Sequence, residues 1–359
     1  AFMLHDVKNL TKIKSECLKI PIELIKRFSP DTLSIMEFDN QREIDLIRKI
    51  FSNLPLLGEK IPNSWNVEFH RDLHHADDHS FLQIIPTNIA IYEGKMIHHF
   101  NSFYENPAFW MNESDAKRFY ISRRHYPEFQ FYRMAYRGVA SSTNETTLIA
   151  SILPKNTATL MSLRVIEIFS YNMETKHLDN EITDLEQLFL VGLFNSYILN
   201  YLIRRKISAN LSTFYIYQLP VPRLIEGSWY FNQIVPRVAR LICIKQEFAE
   251  FWNNIFQPTW KRMGPNDDGT SQLTDWEILT KPWISECGVY GWDNTKHDIG
   301  TRAQLRCEID ALVAHLYGLN KEEFEYILST FPGVKENAPW LITGTMREFE
   351  RLKQFIPQI

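Results

Sequence analysis

The sequence predicts an α+β fold in which a mixed β-sheet region is followed by a helical one, and three observations carry that expectation. From Trp65 to Pro222, short β-branched and aromatic runs are separated by Gly, Pro and Asn turns. Beyond a break at Pro222–Ser228 the apolar residues recur at helical spacing. The 359 residues suit about two domains, and 45% hydrophobic with 23% charged content suits a packed core rather than disorder. The division read from this is a mixed N-terminal connector over 1–60, a sheet-bearing domain over 61–225 and a helical domain over 226–359.

Taken in order, a short helix is expected after Pro21, and an amphipathic one over 39–51. There Ile44, Ile47 and Ile50 share a face and Asp39 or Asn40 supplies the cap. Residues 65–69 alternate as a half-buried strand, and 84–92 read as another, closed by a turn at Glu93-Gly94. Residues 131–154 read as strand, polar loop, strand, and 155–168 as loop then strand. Residues 184–206 read as one long buried helix, with Arg204, Arg205 and Lys206 favourably placed at its C-terminal end. Its apolar run is interrupted by Glu186, Gln187, Asn195, Ser196 and Asn200, which argues against a membrane span. Residues 208–222 contain a polar opening, a β-rich run and a double-Pro stop. Helices follow over 236–255 and 301–316, then one capped by Asn320 and ended by Pro332.

The most informative stretch is 131–154. From Lys117 to Arg164 there are eight Lys/Arg against Glu128 and Glu145, a net of +6 within a chain of net −4, so everything else sums to −10. A local basic field in an acidic chain suits a polyanion. Arg123, Arg124, Arg133, Arg137 and Lys155 belong to that field, and Asn144 sits in its polar loop. Arg and Asn are shaped for bidentate contacts to guanine and adenine edges. The hydroxyls of Ser141, Ser142 and Thr143 suit phosphate oxygens. Asn210, Ser212 and Thr213 repeat this chemistry in a second polar loop, and Lys95 beside a Gly turn is placed to reach a phosphate. The competing reading is a solvated sheet edge guarded by charge.

Other chemistry is sparse. The sequence has no GxGxxG, no GxxxxGK[ST] and no GxSxG. Four scattered cysteines (Cys17, Cys243, Cys287, Cys307) read as reduced thiols of a cytoplasmic protein. His70, Asp72, His74, His75, Asp77, Asp78 and His79 could ligate a metal, which would make a metal-dependent hydrolase. They lack the spacing of a defined site, and a polar surface loop is the preferred reading. A third reading is a protein-interaction scaffold using residues 230–335.

Four stretches together resemble a family: Tyr132–Pro154 (YRMAYRGVASSTNETTLIASILP), Tyr92–Phe100 (YEGKMIHHF), Leu188–Pro222 and Arg302–Pro332. They are similar, in order, to the C-terminal target recognition region of single-chain restriction–modification enzymes. These are the type IIG restriction–methyltransferases and the adenine-specific methyltransferases of phage-defence islands. The resemblance covers about residues 60–335. It implies a recognition domain like those of type I specificity subunits, and duplex DNA read by residues of about 90–225. Arg133, Arg137, Ser141, Ser142, Thr143, Asn144 and Thr146 fall on its most distinctive motif. Lys95 falls on a second, and Asn195 and Ser196 on a third, where a structural role is expected. The methyltransferase Phe-x-Gly-x-Gly and Asn-Pro-Pro-Tyr motifs are absent, so no cofactor is expected in this chain. S-adenosylmethionine, with Mg as a further option, is assigned to a parent enzyme. Its methyltransferase domain would lie upstream in the same polypeptide, which agrees with a first residue that is Ala rather than Met. The expected partners are double-stranded DNA and that domain, with no membrane.

Overall fold

The computed structural model describes residues 18–30, 33, 38–52, 54–139, 146–206, 210–257, 260 and 300–357. Among them the fold is mixed α+β, with twelve α-helices and three small sheets. The chain enters through α1 (Ile22–Phe28) and α2 (Gln41–Phe51). The α2 helix starts where the sequence places it. Asn40 Oδ1 accepts from Glu43 N (3.0 Å), the Glu43 carboxylate accepts from Asp39 N (2.9 Å), and Ile44, Ile47 and Ile50 are buried.

The sheet region contains β1 (Phe69–His70), β2 (Ile89–Tyr92), β3 (Phe109–Met111), α3 (Glu113–Arg124) and β4 (Arg133–Arg137). After these come β5 (Ala150–Leu153), β6 (Thr157–Thr159), β7 (Leu163–Ile166), β8 (Phe169–Asn172) and β9 (His177–Asn180). The strands form a four-stranded sheet in the order β1-β7-β4-β5, a three-stranded sheet β3-β2-β6 and the hairpin β8-β9. β4 and β5 pair antiparallel, with Met134 opposite Ile152 and Tyr136 opposite Ala150, as strand, loop, strand requires. Two strands are shorter than their patterns suggest. Trp65, Val67 and Phe69 do turn inward alternately, but laddering begins only at Phe69. Pro86 lacks an N–H for a ladder, so β2 begins at Ile89 and leaves Ile84 and Ile85 exposed.

The expected single helix over 184–206 is two helices, α4 (Asp184–Phe194) and α5 (Tyr197–Arg204). Asn195 closes the first, and Ser196 caps the second by accepting from Leu199 N (3.4 Å). The β-rich run after Asn210 is instead the short helix α6 (Thr213–Tyr217), opened by the Ser212 hydroxyl. The helical region comprises α7 (Trp229–Ile242), α8 (Ala249–Ile255), α9 (Gly300–Leu316), α10 (Lys321–Ser329), α11 (Pro332–Asn337) and α12 (Pro339–Leu352). Pro332 does not merely end α10; it supplies the first residue of α11, where a missing N–H costs nothing.

The largest hydrophobic cluster crosses both divisions read from the sequence, running from Leu24 in α1 to Leu352 in α12. Tyr201 donates to Glu43 Oε1 (2.9 Å), tying α5 to α2. Leu57 N bonds Leu219 O (2.8 Å), and Trp65 Nε1 bonds Leu224 O (2.8 Å). The α4 and α7 helices approach closely at Gly192, where a Cβ would stand 2.8 Å from Ile234 Cγ2. A fully buried ion pair, Arg237 Nε to Glu308 Oε2 at 2.7 Å, joins α7 to α9. Among the described residues no helix is long and apolar enough to cross a membrane.

Candidate nucleic-acid interface

The β4–β5 hairpin is held from behind by amides on the helix pair α4–α5. Asn195 accepts from Ala150 N (3.0 Å) and donates to Ala150 O (2.9 Å). Asn200 Oδ1 accepts from both Thr147 N (2.9 Å) and Leu148 N (2.7 Å). Gln187 Oε1 accepts from Met134 N (2.7 Å). All three side chains are buried, so each satisfies backbone groups that water cannot reach. Asn195 and Ser196 thus have the structural role expected of them.

Arg133 is a correction. It was placed on the DNA-contacting face, but the structure places it wholly in the interior. Its Nη2 lies 3.2 Å from Asp72 Oδ2 and donates to Thr157 O (2.7 Å), and its Nη1 lies 3.7 Å from Glu128 Oε2. His70 Nε2 reaches both carboxylates, at 3.2 Å from Asp72 and 3.1 Å from Glu128. Tyr120 donates to Asp72 (2.6 Å), as do the N–H and hydroxyl of Thr159 (3.0 Å each). Burial works against the Asp72 carboxylate, yet the Arg133 charge, aided by His70, holds it well below the usual carboxylate range. Burial likewise opposes the His70 imidazolium, but Glu128 and Asp72 together raise it above its ordinary value. The Arg133 guanidinium thus faces two carboxylates, and both favour the charged form of His70 beside them. The cause is that β4 alternates its side chains across the sheet. The Arg at its first position therefore points to acids supplied by the segment after β1 and by the turn before β4.

The same cluster bears on the metal reading. His70, Asp72 and Glu128 offer ligand atoms within 4.8 Å of one another. Both carboxylates already face the Arg133 guanidinium, which supplies the positive charge a metal would bring. The rest of the histidine-rich stretch does not converge on them: Asp78 pairs with Arg123 (2.7 Å), His74 lies 3.2 Å from Asp77, and His75 and His79 are exposed. The stretch is not simply a surface loop either, because Asp72 and Asp78 are buried.

The basic field is largely compensated by acids that the window 117–164 does not contain. Lys117 pairs with Glu113 (2.7 Å), Arg118 with Asp115 (3.0 Å), and Lys155 with Glu250 (2.6 Å). Arg124 is 3.9 Å from both Glu128 and Glu167. Lys95 is exposed and 3.0 Å from Glu93. A second correction concerns Thr146: it is buried, its hydroxyl hydrogen-bonded to His99 Nε2, and so it does not present itself to a ligand. Arg137 is half-buried and donates from Nε to Ile97 O (3.0 Å). Asn210 is exposed and bridges Val139, while Ser212 caps α6 and Thr213 is its first residue. Ser141, Ser142, Thr143 and Asn144 lie outside the described residues. A cleft of about 510 Å³ lined by Phe131, Tyr132, Lys155, Phe169, Asp184 and Gln257 carries one cation and one acid, so it is no polyanion groove.

Of the eight Lys/Arg in the field, only Arg137 and Arg164 have no carboxylate partner among the described residues. Arg71, which the sequence reading passed over inside the histidine-rich stretch, lies beside Arg164. Its signal was there to read: it follows directly on an alternating strand and precedes Asp72. Comparison with protein-family models gives no match, and comparison with curated proteins gives none either.

Proposed function

We propose that this chain is the DNA recognition part of a restriction–modification enzyme of the adenine-specific methyltransferase type. In this reading it adopts a recognition domain akin to those of type I specificity subunits and reads duplex sequence. It positions an adenine for a catalytic domain that flips the base and methylates it with S-adenosylmethionine. Its partners are double-stranded DNA and the upstream methyltransferase domain of the same polypeptide, in the cytoplasm.

One observation carries the reading. Two of the side chains through which the chain resembles this family brace the β4–β5 hairpin, Arg133 from below and Asn195 from behind, and Asn200 joins Asn195 there. A rigid frame of that kind fixes where the connection between β4 and β5 leaves and rejoins the sheet. The test is fluorescence anisotropy of a labelled duplex against the whole chain and against the parent polypeptide, from about 50 to about 200 mM salt. Log affinity should fall linearly with log salt, steeply, and one sequence should compete better than the rest. Salt-independent binding, or none by either protein, refutes the proposal.

A further inference from the structure

Among the described residues, the ion pairs of the basic segment leave Arg137 and Arg164 without a carboxylate, and Arg137 is committed to Ile97 O. The pairing of β1 with β7 ends at His70 opposite Val165, so Arg71 follows the last paired residue beside Arg164, and Tyr136 of β4 is the partner of Arg164 on its other side. Arg71 is exposed, and it has no hydrogen bond or ion pair among the described residues. Arg164 is nearly buried and held in a fixed pose. Its Nη1 donates to Met161 O (2.6 Å) and Leu163 O (3.0 Å), and the guanidinium lies flat against Gly138, where a Cβ would stand 2.9 Å from Nη1. Its Nε and Nη2 have no partner among the described residues. Burial, with Arg71 beside it, lowers the Arg164 pKa. Two neighbouring guanidiniums without a carboxylate repel each other, and a fold tolerates that arrangement at a cost. An anion bridging them removes the cost and finds a planar pair of donors already oriented, the geometry at which Arg surpasses Lys.

We propose that Arg71 and Arg164 form a binding site for one backbone phosphodiester of duplex DNA, at the end of β4 where the chain passes Gly138. The assignment rests on the proposed function and names side chains that reading did not include. Arg164 supplies the fixed donors, and Arg71 closes over the phosphate from the exposed side.

The experiment measures binding of the whole chain to a fluorescein-labelled mixed-sequence duplex at several salt concentrations. The variants are Arg71→Gln, Arg164→Gln and the double change, with Lys117→Gln/Arg118→Gln on the exposed face of α3 as control. The double variant should bind at least about tenfold more weakly at low salt. Its log–log salt slope should be shallower by about one, the value of one lost phosphate contact. The control should change neither quantity. Arg71→Gln touches an exposed side chain, so a weakened affinity there supports the site even where Arg164→Gln lowers the urea midpoint. Binding by the wild-type chain with unchanged affinity and slope in both Arg71→Gln and the double variant overturns the site and leaves the proposed function standing. No duplex binding by the wild-type chain or by the parent polypeptide overturns both, and so does binding of inorganic phosphate at these arginines when neither protein binds DNA.

Discussion

Replacing Arg133 with Ala separates an interior support from a DNA contact. The guanidinium is fully buried, hydrogen-bonded to Thr157 O at 2.7 Å, 3.2 Å from Asp72 and 3.7 Å from Glu128, both of them also buried. Its removal leaves two carboxylates in the interior, with His70 beside both and Arg124 3.9 Å from Glu128. Breaking a buried pair by deleting one partner costs roughly 3–5 kcal/mol, because the orphaned charge stays desolvated. That is a large share of a stability of about 5–15 kcal/mol. With a urea m-value of about 3 kcal/mol per molar, the unfolding midpoint should fall by about 1–1.7 M. Replacing Arg133 with its two acids (Arg133→Met with Asp72→Asn and Glu128→Gln) removes the guanidinium and both carboxylates together, keeps acceptors for Tyr120 and Thr159, and should recover most of the loss. Urea unfolding followed by tryptophan fluorescence at constant protein concentration reads both variants. An Arg133→Ala variant that keeps the wild-type midpoint but loses duplex binding would show that this arginine meets DNA after all, and the account of the interior cluster would fall.

Two further outcomes follow from the packing. Burial pushes the Asp310 carboxyl from 3.8 up to about 7, although it accepts from Tyr197 N at 2.9 Å. Its contribution is therefore fully present below pH 3.8 and is lost as pH rises to about 7. Asp310→Asn keeps an acceptor without the charge, so at pH 8 it should gain stability over wild type, with a ceiling of about 4 kcal/mol. Identical urea midpoints at pH 8 would contradict this. Gly192→Ala sets two effects against each other: about 1 kcal/mol gained in helix propensity, and about 1–3 kcal/mol lost because the new Cβ meets Ile234 at 2.8 Å and Val238 at 3.0 Å. Packing should win, and a raised thermal midpoint would say that α4 and α7 do not sit this close.

Local chemistry was legible in the sequence wherever it decided the outcome by itself. The apolar stripe and Asn cap of α2, the strand–loop–strand of 131–154 and the Asn320 cap of α10 rest on neighbours within a few residues. What a linear reading missed depends on partners distant in the chain. A count over 117–164 finds +6, but the compensating acids outside it are Glu113 and Asp115 just before its start, and Asp72, Asp78, Glu167 and Glu250, brought in by sheet pairing and by packing of α8. The break at Asn195 was equally invisible. An apolar helix of that composition continues unless something takes its side-chain amides, and the takers are backbone groups of Ala150, Thr147 and Leu148. The residue types of the site were visible, and their partners were not: Arg133 meets buried carboxylates and Arg164 meets backbone carbonyls, though both are arginines on paired strands.

The Asn195 amide meets both polar groups of Ala150, and β5 is the terminal strand of its sheet. A side-chain carboxamide has the same donor and acceptor as a peptide unit, so α4 presents to β5 the hydrogen bonds that a further strand would offer, without the strand. Strand addition by a second copy is thereby opposed where β5 begins, at Ala150. Loss of that amide would expose an open template for intermolecular pairing, and the protein would then be vulnerable to domain swapping and aggregation at concentrations where its stability alone gives no warning.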